Sequence, residues 1–448
     1  MSSLSHAASR LVEIARKEGA TDAICEVEDL AVQQVRFSNS QIDAVNSWTE
    51  SHAMMFVAVG KRVISSDLRN LDAADKEARV LVELGKRAPP SKGYGGLASG
   101  RFRYKQGRID RRTASVDDPS KYAQEAIHAA EAAGAVDVGG TLYIRLSKLG
   151  IASSAGPIGN DESASVELSI RAFSQPEASG HAVCCTPSIG GLNAREVGEH
   201  AAELSLMARN SVQGEEGKFD IIIQPLFFGS ISQSVSHMMS ALRVEIGSSM
   251  FAKKIGKKVA SEEITFIDEP TIDSTSRRAF DHEGAPARKN VMIKDGVLKT
   301  YLHNTSTAKK FKTRTTGNAG PLIPTPYAYA TQPLPFHPVV LPGDWDVEEI
   351  ISDTKRGLYL NNTWYTRYQN YTTGEFSTIP RDAILRIKDG EIIGAIKNIR
   401  ISDNMMGLWK NMDAVSKQVQ EVYWWAEAAP PSTLPTVRAR NVNITRSA

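Results

Sequence analysis

Histidines and cysteines are the first side chains to consider for chemistry, because both types bind metal ions. The chain has three cysteines, and two of them, Cys184 and Cys185, lie between His181 and His200 in the sequence. Adjacent residues of a strand point to opposite faces, so both thiols cannot readily ligate one ion. No Cys-x-x-Cys pair is present either. We therefore do not expect a metal site at these residues.

A second group of reactive side chains combines two acidic residues with a histidine. Asp281, His282 and Glu283 are consecutive and are followed by Gly284. In an enzyme, carboxylates and an imidazole so close together could transfer protons or orient a metal ligand. A turn with solvated carboxylates would explain the same residues. The sequence alone leaves both interpretations open.

The composition narrows the class of protein that holds these residues. Of 448 residues, 41% are hydrophobic and 23% are charged, which is ordinary for a globular protein with two or three domains. The 53 basic and 51 acidic residues give a net charge of +2, so we expect neither nucleic acid nor a membrane as partner. The basic stretch 101–105, with Phe102 and Tyr104 interleaved, is interpreted as a solvated loop.

The compartment is predicted from the N-terminus, the apolar runs and the cysteines. The first 18 residues carry apolar side chains at helical spacing, and a signal-peptide run is absent from them. The longest apolar stretches are too short to cross a bilayer. Three cysteines make no disulfide framework, which fits a reducing environment. We expect a cytoplasmic protein.

Residues 1–90 are predicted to form an N-terminal α/β domain. An amphipathic helix comes first, strands follow at 23–27, 33–37, 54–59 and 62–65, and a second helix fits 72–85. Residues 91–118, rich in Pro, Gly, Arg and Lys, are predicted to be a linker or an exposed loop. Residues 119–216 repeat the order as a middle α/β domain, whose last helix begins with a capping box of Asn193 and Glu196.

Residues 217–448 are predicted to form a C-terminal, mainly antiparallel β domain. A buried strand at 219–224 precedes a helix at 229–243. Beyond residue 264, turns that contain Gly alternate with β-branched or aromatic runs, and a last strand is predicted at 436–445. The fold class is therefore α+β, with N-terminal mixed α/β layers followed by this domain.

Several segments of the C-terminal domain resemble the TldD/PmbA family, and together they follow the family's order. The stretch around residues 281–302 is similar to a "DDEG … I-x-x-G-x-L-x-x-Y-L" stretch of that family. The matching segments are Asp281-His282-Glu283-Gly284, Gly296-Val297-Leu298-Lys299-Thr300-Tyr301-Leu302, Thr315-Thr316-Gly317-Asn318, Leu341-Pro342-Gly343-Asp344 and Thr373-Gly374-Glu375-Phe376-Ser377. The resemblance extends more weakly to the N-terminal half.

The resemblance implies a zinc site that this chain has lost. Catalytic members carry a helical His-Glu-x-x-x-His segment, whose histidines bind zinc and whose Glu is the general base, and a Cys near the C-terminus as third ligand. Aligned on His237, the corresponding residues here are Ser232 and Gln233. Ser is a poor zinc ligand, and Gln cannot take a proton from water as a carboxylate does. No cysteine lies in 424–448. The metal site is degenerate, and we expect no metal on this chain.

The family's PmbA/TldE-like members share this loss. By resemblance, such a non-catalytic chain pairs with a TldD-like metallopeptidase subunit, which would hold the zinc. The pair would cleave unfolded or peptide substrates that lie extended in an internal channel. Candidate residues of that channel, for which turn formation is the alternative, are Asp281, His282, Glu283, Thr316, Gly317 and Asn318.

Two other functions stay open on the sequence. The chain could be a self-sufficient hydrolase with a rearranged site around His237 and the acidic cluster, or a non-enzymatic homodimer that binds peptides. Simple hydrogen bonding also explains a lone His on a Ser-rich helix face. Tyr423, Trp424 and Trp425 could anchor an interface or pack in the core.

Overall fold

A computed structural model of the chain describes residues 4–322, 331–425 and 427–446. The outermost residues of the predicted first and last domains, 1–3 and 447–448, therefore lie outside the described residues. The fold class is α+β, as predicted. In the described part of the chain the longest helices have 14 residues, and none is apolar and long enough to span a bilayer.

The N-terminal half forms one antiparallel sheet with helices on one face. Its elements are α1 (Leu4–Lys17), β1 (Asp22–Ser38), β2 (Gln41–Val59), β3 (Arg62–Leu68), α2 (Ala74–Arg87), α3 (Arg111–Ala114), α4 (Ser120–Ala132), β4 (Asp137–Ser153), β5 (Ile158–Gln175), β6 (Ala178–Thr186), a 3₁₀ turn (Ile189–Gly191) and α5 (Ala194–Met207). Among the described residues the sheet order is β3-β2-β1-β4-β5-β6. We call it the N-terminal sheet.

Pairing of β1 with β4 makes this sheet continuous through the predicted first and middle domains. The pair runs from Ile24 opposite Ser153 to Phe37 opposite Gly140. Each half adds two strands outward from that pair, so the repeated helix–strands–helix order of the sequence is visible as two similar three-stranded halves of one sheet. The division at 91–118 stays a prediction at the level of domains.

The two faces of the N-terminal sheet differ in chemistry. On β1, Cys25 and Val27 point to the face that α1 and α2 cover, where they are buried with Leu11 and Leu81. Since side chains alternate along a strand, the even-numbered residues of β1 point to the other face, toward the C-terminal half. Ile24 is buried there, and the polar residues that follow it border a cavity.

The segment 91–118 is irregular apart from α3, but it is not exposed throughout. Tyr94 and Leu97 are buried, and Tyr94 packs on Phe56 with ring centroids 5.6 Å apart. The Tyr104 hydroxyl donates a hydrogen bond to the Gly284 carbonyl at 2.6 Å. The arginines of 101–105 are exposed, as the solvated-loop interpretation predicts, whereas both aromatic rings are half-buried.

The C-terminal half forms a second, mixed sheet of twelve strands within the described residues. The elements are β7 (Val212–Gln213), β8 (Gly217–Ile223), α6 (Pro225–Met238), α7 (Ala241–Glu245), β9 (Phe266–Asp268), β10 (Asn290–Lys294), β11 (Val297–Leu298), α8 (Thr305–Lys310), β12 (Pro338–Val340), α9 (Val347–Ser352), β13 (Arg356–Asn370), β14 (Glu375–Lys388), β15 (Glu391–Lys397), β16 (Ile399–Asn404), α10 (Met405–Lys410), β17 (Met412–Trp424) and β18 (Ala428–Arg446). Three of the strand pairs are parallel, namely β12 with β18, β8 with β13 and β7 with β15, and the others are antiparallel.

Helix α6 lies on this second sheet and differs from its prediction. Pro225 occupies its first turn, where the fixed φ of proline fits and no N–H is needed. The apolar side chains Phe227, Phe228 and Ile231 are buried in the largest core, and burying each contributes about 1.5–3 kcal/mol. The predicted helix 229–243 is two helices, because Ser240 has an extended ψ of 125° that separates α6 from α7.

Candidate functional site

The three residues aligned with the zinc motif lie on α6, and two of them are occupied by internal hydrogen bonds. Ser232 is completely buried, and its hydroxyl donates to the Gly229 carbonyl at 3.0 Å. The side-chain oxygen of Gln233 accepts the N–H of Ala429 at 3.3 Å. Ser232 is closed off by burial, and neither a hydroxyl nor an amide is among the usual zinc ligands, which are thiolate, imidazole and carboxylate.

His237 keeps one nitrogen suited to a metal. Its Nδ1 lies 2.9 Å from the Gln233 carbonyl oxygen, which can only accept, so Nδ1 carries the proton. Nε2 is then the free lone pair. Burial lowers the pKa of His237, which favours the neutral imidazole. A single imidazole is far from the three protein ligands of a catalytic zinc site.

The chain itself covers the helix at this point. A Cβ added at Gly229 would lie 2.8 Å from the Cβ of Ala428, so the first residue of β18 is in direct contact with α6. In the described parts of the chain, no three His, Cys, Asp or Glu side chains converge as a metal-binding group. The residues present therefore do not fit the zinc ion that the resemblance implies.

The four residues His181, Cys184, Cys185 and His200 make their contacts with different parts of the protein. His181 is buried, and its contacts are Ser169 at 2.9 Å and the amide of Asn362 at 2.8 Å. Burial lowers the pKa of His181 to about 3. Cys184 and Cys185 donate weakly to different carbonyls, those of Gly191 and Tyr423, while His200 lies on α5 beside Glu203. The expectation of no metal site here stays a prediction.

The side chains of Ser169, His181 and Asp382 lie in the order of the Ser-His-Asp triad of hydrolases. Their hydrogen bonds, however, differ from those of a working triad. The Asn362 amide donates to Nδ1 of His181, so Nε2 carries the proton and donates to Ser169. The imidazole therefore cannot take a proton from that serine. The Nδ1–carboxylate distance to Asp382 is 3.9 Å, too long for a direct hydrogen bond.

Tyr423, Trp424 and Trp425 divide between core and surface. Trp424 is half-buried and contacts the His181 ring edge-on at a centroid distance of 4.9 Å. Trp425 is 71% exposed. The Tyr423 carbonyl accepts from Cys185, so this residue is tied to β6.

Asp281 and Glu283 of the acidic cluster accept hydrogen bonds from the backbone, and neither borders the cavity that contains Glu26. Asp281 is completely buried and accepts the N–H groups of Glu283, Ala285 and Ala319 at 2.9–3.0 Å. Glu283, also buried, accepts the N–H of Thr305 and a hydroxyl at 3.0 Å each. Burial raises the pKa of Asp281 to about 6, and burial together with the charge of Asp281 raises that of Glu283 to about 7.

The Thr316-Gly317-Asn318 segment is a tight turn in its geometry. The Thr316 hydroxyl oxygen accepts the N–H of His303 at 2.7 Å. Gly317 has a φ of +73°, and a Cβ there would lie 2.6 Å from the Pro286 carbonyl oxygen. Asn318 is buried and donates to the Asp268 carboxylate at 2.6 Å. None of the three borders the main cavity, which lies between the N-terminal sheet and residues 275–282.

A cavity of about 600 Å³ lies between the N-terminal sheet and the segment 275–282. It is bordered by Glu26 and Glu28 of β1, Arg145 and Ser147 of β4, and Arg278 and His282 of the C-terminal half. Of the predicted channel residues only His282 reaches it. The sequence signal for this site was the alternation Cys25-Glu26-Val27-Glu28, which places both carboxylates on the face opposite the helices.

His282 lies between a cationic and an anionic side chain, those of Arg278 and Glu26. Its Nε2 lies 3.1 Å from Nη2 of Arg278, which can only donate, so Nε2 accepts. Its Nδ1 then carries the proton and donates to Oε2 of Glu26 at 2.7 Å. The imidazole is thus a neutral link between a guanidinium and a carboxylate. The other carboxylate oxygen of Glu26, Oε1, is buried without a hydrogen-bond partner among the described residues.

Comparison with known families and proteins assigns the C-terminal half. The sequence profile described as "PmbA/TldA metallopeptidase C-terminal domain" matches residues 216–446. A "Metalloprotease" of Methanothermobacter thermautotrophicus is 32% identical over 225 residues, which is 49% of this chain and 47% of that protein. A "Metalloprotease" of Methanocaldococcus jannaschii is 31% identical over 250 residues, 52% of each. The chain thus spans about half the length of the curated relatives it matches.

The fold is similar over nearly the whole chain to a solved structure. TldE from Thermococcus kodakarensis superposes with a TM-score of 0.86, covering 98% of this chain and 100% of that one, at 20% identity. At that identity the likeness shows the shared fold alone.

Proposed function

Because the chain belongs to the PmbA/TldD family of metallopeptidases, we propose that it is a non-catalytic, TldE-like subunit of a two-chain peptidase. The observation that carries the proposal is the state of α6. Ser232 and Gln233 stand where two of the zinc-site residues are expected. Ser232 donates its hydroxyl hydrogen to the Gly229 carbonyl, and the side-chain oxygen of Gln233 accepts the N–H of Ala429. In this proposal zinc belongs to a TldD-like partner, and this chain holds none.

The preserved fold supports a role in shaping the substrate site. A chain without catalytic activity and without a partner subunit would not need to keep the whole fold. The similarity to the solved TldE nevertheless extends over 98% of its length. The role we propose is to complete, with the partner, an enclosure in which an extended peptide lies. We also propose that the pair works in the cytoplasm, in keeping with three free thiols and no disulfide among the described residues.

The acidic cluster gives little support to the alternative of a self-sufficient hydrolase. Asp281 and Glu283 have their oxygens bonded to N–H and hydroxyl groups in the protein interior, so neither is available to a substrate. Of the residues that this alternative needs, His237 on α6 and His282 at the cavity would remain. The other alternative, a peptide-binding homodimer without catalysis, is an outcome of the test below.

The test is reconstitution of peptide cleavage with a TldD-like chain from the same organism. We expect no cleavage of an unfolded protein substrate by this chain alone, and cleavage when both chains are present. Replacing the motif Glu of the partner should abolish the activity of the pair, whereas His237→Ala in this chain should not. Cleavage by the isolated chain would overturn the proposal, and failure to bind any TldD-like chain would favour the homodimer.

A further inference from the structure

We propose that the cavity bordered by Glu26 and Glu28 binds a primary ammonium group, carried by a peptide N-terminus or by a lysine side chain. The inference rests on the proposed function in one respect, which is that the ammonium belongs to a peptide. It adds a ligand-binding role for residues of the N-terminal sheet, remote in sequence from the degenerate zinc motif.

The shape of the cavity suits the end of a chain. Its floor is formed by Glu26 and Asp161, whose side chains are 6% and 7% exposed. Its mouth lies at Glu28 and His52, which are 30% and 27% exposed. A volume of about 600 Å³ is within the range that holds small ligands. A chain terminus or a lysine could therefore enter from solvent and reach the buried carboxylate.

Two of the three arginines that border the cavity are ion-paired, and two of its carboxylates have no arginine or lysine ion-pair partner in the described part of the chain. Arg277 pairs with Asp161 at 2.5 Å, and Arg145 pairs with Glu167 at 2.5 Å. No lysine or arginine of the described residues forms an ion pair with Glu26 or Glu28.

Histidines and a serine are the partners of these two carboxylates. Glu26 contacts His282, while Glu28 accepts the Ser147 hydroxyl at 2.6 Å and lies 4.0 Å from His52. Two residues apart on one strand, both carboxylates point into the same space. The positive charge they lack would come from a ligand.

The carboxylate of Glu26 borders the cavity and is only partly hydrogen-bonded. Oε2 is used by His282, and Oε1 has no donor among the described residues. Buried carboxylate oxygens are normally hydrogen-bonded, so a missing donor needs an explanation. An ammonium offers three N–H groups and could satisfy Oε1 while it neutralises the charge.

The nearby guanidinium of Arg278 does not oppose this assignment. It stacks on the Phe336 ring at 3.9 Å, and it faces the carboxylates of Glu26, Asp281, Asp161 and Asp268. Together with Arg277, which pairs with Asp161, it makes two guanidinium groups that stand against these four carboxyl groups. Apolar groups complete the wall and would pack on the aliphatic part of the ligand, among them Leu30, Met54, Leu149 and Leu322.

The experiment is a calorimetric titration of the full chain with three synthetic probes. The probes are trialanine amide, its N-acetylated form, and N-acetyl-Ala-Lys-Ala amide. We expect the first probe to bind if the site takes a peptide N-terminus, the third if it takes lysine, and the acetylated trialanine not to bind. Binding of the acetylated trialanine as tightly as the others, or binding of no probe, would overturn the inference.

Variants of Glu26 and Glu28 test whether the probes bind in this cavity. Glu26→Gln and Glu28→Gln should each weaken the binding probe about tenfold or more, since each removes one charge-assisted contact. Glu263→Gln, at an exposed carboxylate elsewhere, is the matched control and should leave the affinity unchanged. If Glu26→Gln fails to fold, Glu28→Gln still decides, because that side chain lies at the open mouth. Unchanged affinity in the variants would sink the proposal.

The proposed function can stand or fall independently of this site. Peptide cleavage by the reconstituted pair is measured on the same preparation with a long unfolded substrate. An active pair whose subunit binds no ammonium probe would refute the cavity assignment alone. Ammonium binding without any activity of the pair would refute only the peptidase role.

Discussion

Glu421→Gln should stabilise the protein at pH 8 and leave its stability almost unchanged near pH 4. Glu421 lies on β17, and its Oε1 accepts the N–H of Thr275 at 2.9 Å as well as the hydroxyl of the same residue. Thr275 belongs to the wall of the main cavity. Burial raises the pKa of Glu421 from 4.5 to about 7, and the charges of Glu167 and Asp273 act in the same direction.

The direction of this pH dependence follows from the number of protons that the folded and the unfolded chain bind at Glu421. Below pH 4.5 the carboxyl is protonated in both the folded and the unfolded chain, and stability is at its highest with respect to this group. As the pH rises toward 7, only the unfolded chain loses the proton, so the folded state is progressively disfavoured. Above pH 7 the loss is complete. The difference between 4.5 and about 7 corresponds to an upper limit of about 3 kcal/mol, and partial exposure reduces it to about 1–2 kcal/mol.

Glutamine isolates the charge because its amide oxygen can still accept both bonds from Thr275. We expect the midpoint of thermal unfolding to rise by a few degrees at pH 8, about what 1–2 kcal/mol produces in a chain of this size or smaller. At pH 4 the variant and the native protein should unfold together. Glu263→Gln is the control, because this carboxylate is exposed. A lower midpoint for Glu421→Gln at both pH values would refute the reasoning.

Three further predictions concern the turns and the degenerate motif. Gly317→Ala should destabilise the protein by about 2–4 kcal/mol, because the new Cβ would lie 2.6 Å from the Pro286 carbonyl oxygen. Gly247→Ala has the same φ of +73° with no atom within 4 Å, so its thermal midpoint should fall less; equal losses would show that backbone strain alone matters. Asp281→Ala leaves three buried N–H groups without an acceptor and should cost about 3 kcal/mol or more in urea unfolding, and a smaller loss would mean that water replaces the carboxylate. His237→Ala should change the kcat/KM of the reconstituted pair by less than about twofold, and a large drop would place His237 in the chemistry.

The alternation of side chains explains how much of the fold was predictable. The N-terminal strands and helices follow from periodicity, since Cys25 and Val27 are apolar where the helices cover β1. The pairing of β1 with β4 did not follow, because it joins residues more than 100 positions apart and depends on both halves being present. Helix α6 begins four residues before its prediction, since the apolar residues after Pro225 read equally well as a continuing strand.

The candidate site was predictable in part. The replacement of two zinc-site residue types by Ser232 and Gln233 can be read from the sequence, because it depends only on residue type. The functions of Asp281 and Glu283 could not be read in that way. Consecutive acids look alike in sequence whether they face solvent or accept backbone N–H groups in the interior, and only the tertiary structure buries them. The cavity at Glu26 was missed because its other wall comes from residues 275–282.

The most direct test of the proposed role is a zinc measurement on the purified chain and on the pair. The donor set on α6 predicts no stoichiometric zinc in the isolated chain, with or without His237→Ala, and zinc in the pair that is lost when the partner's motif histidines are replaced. An equivalent of tightly held zinc in the isolated chain that disappears in His237→Ala would contradict the account.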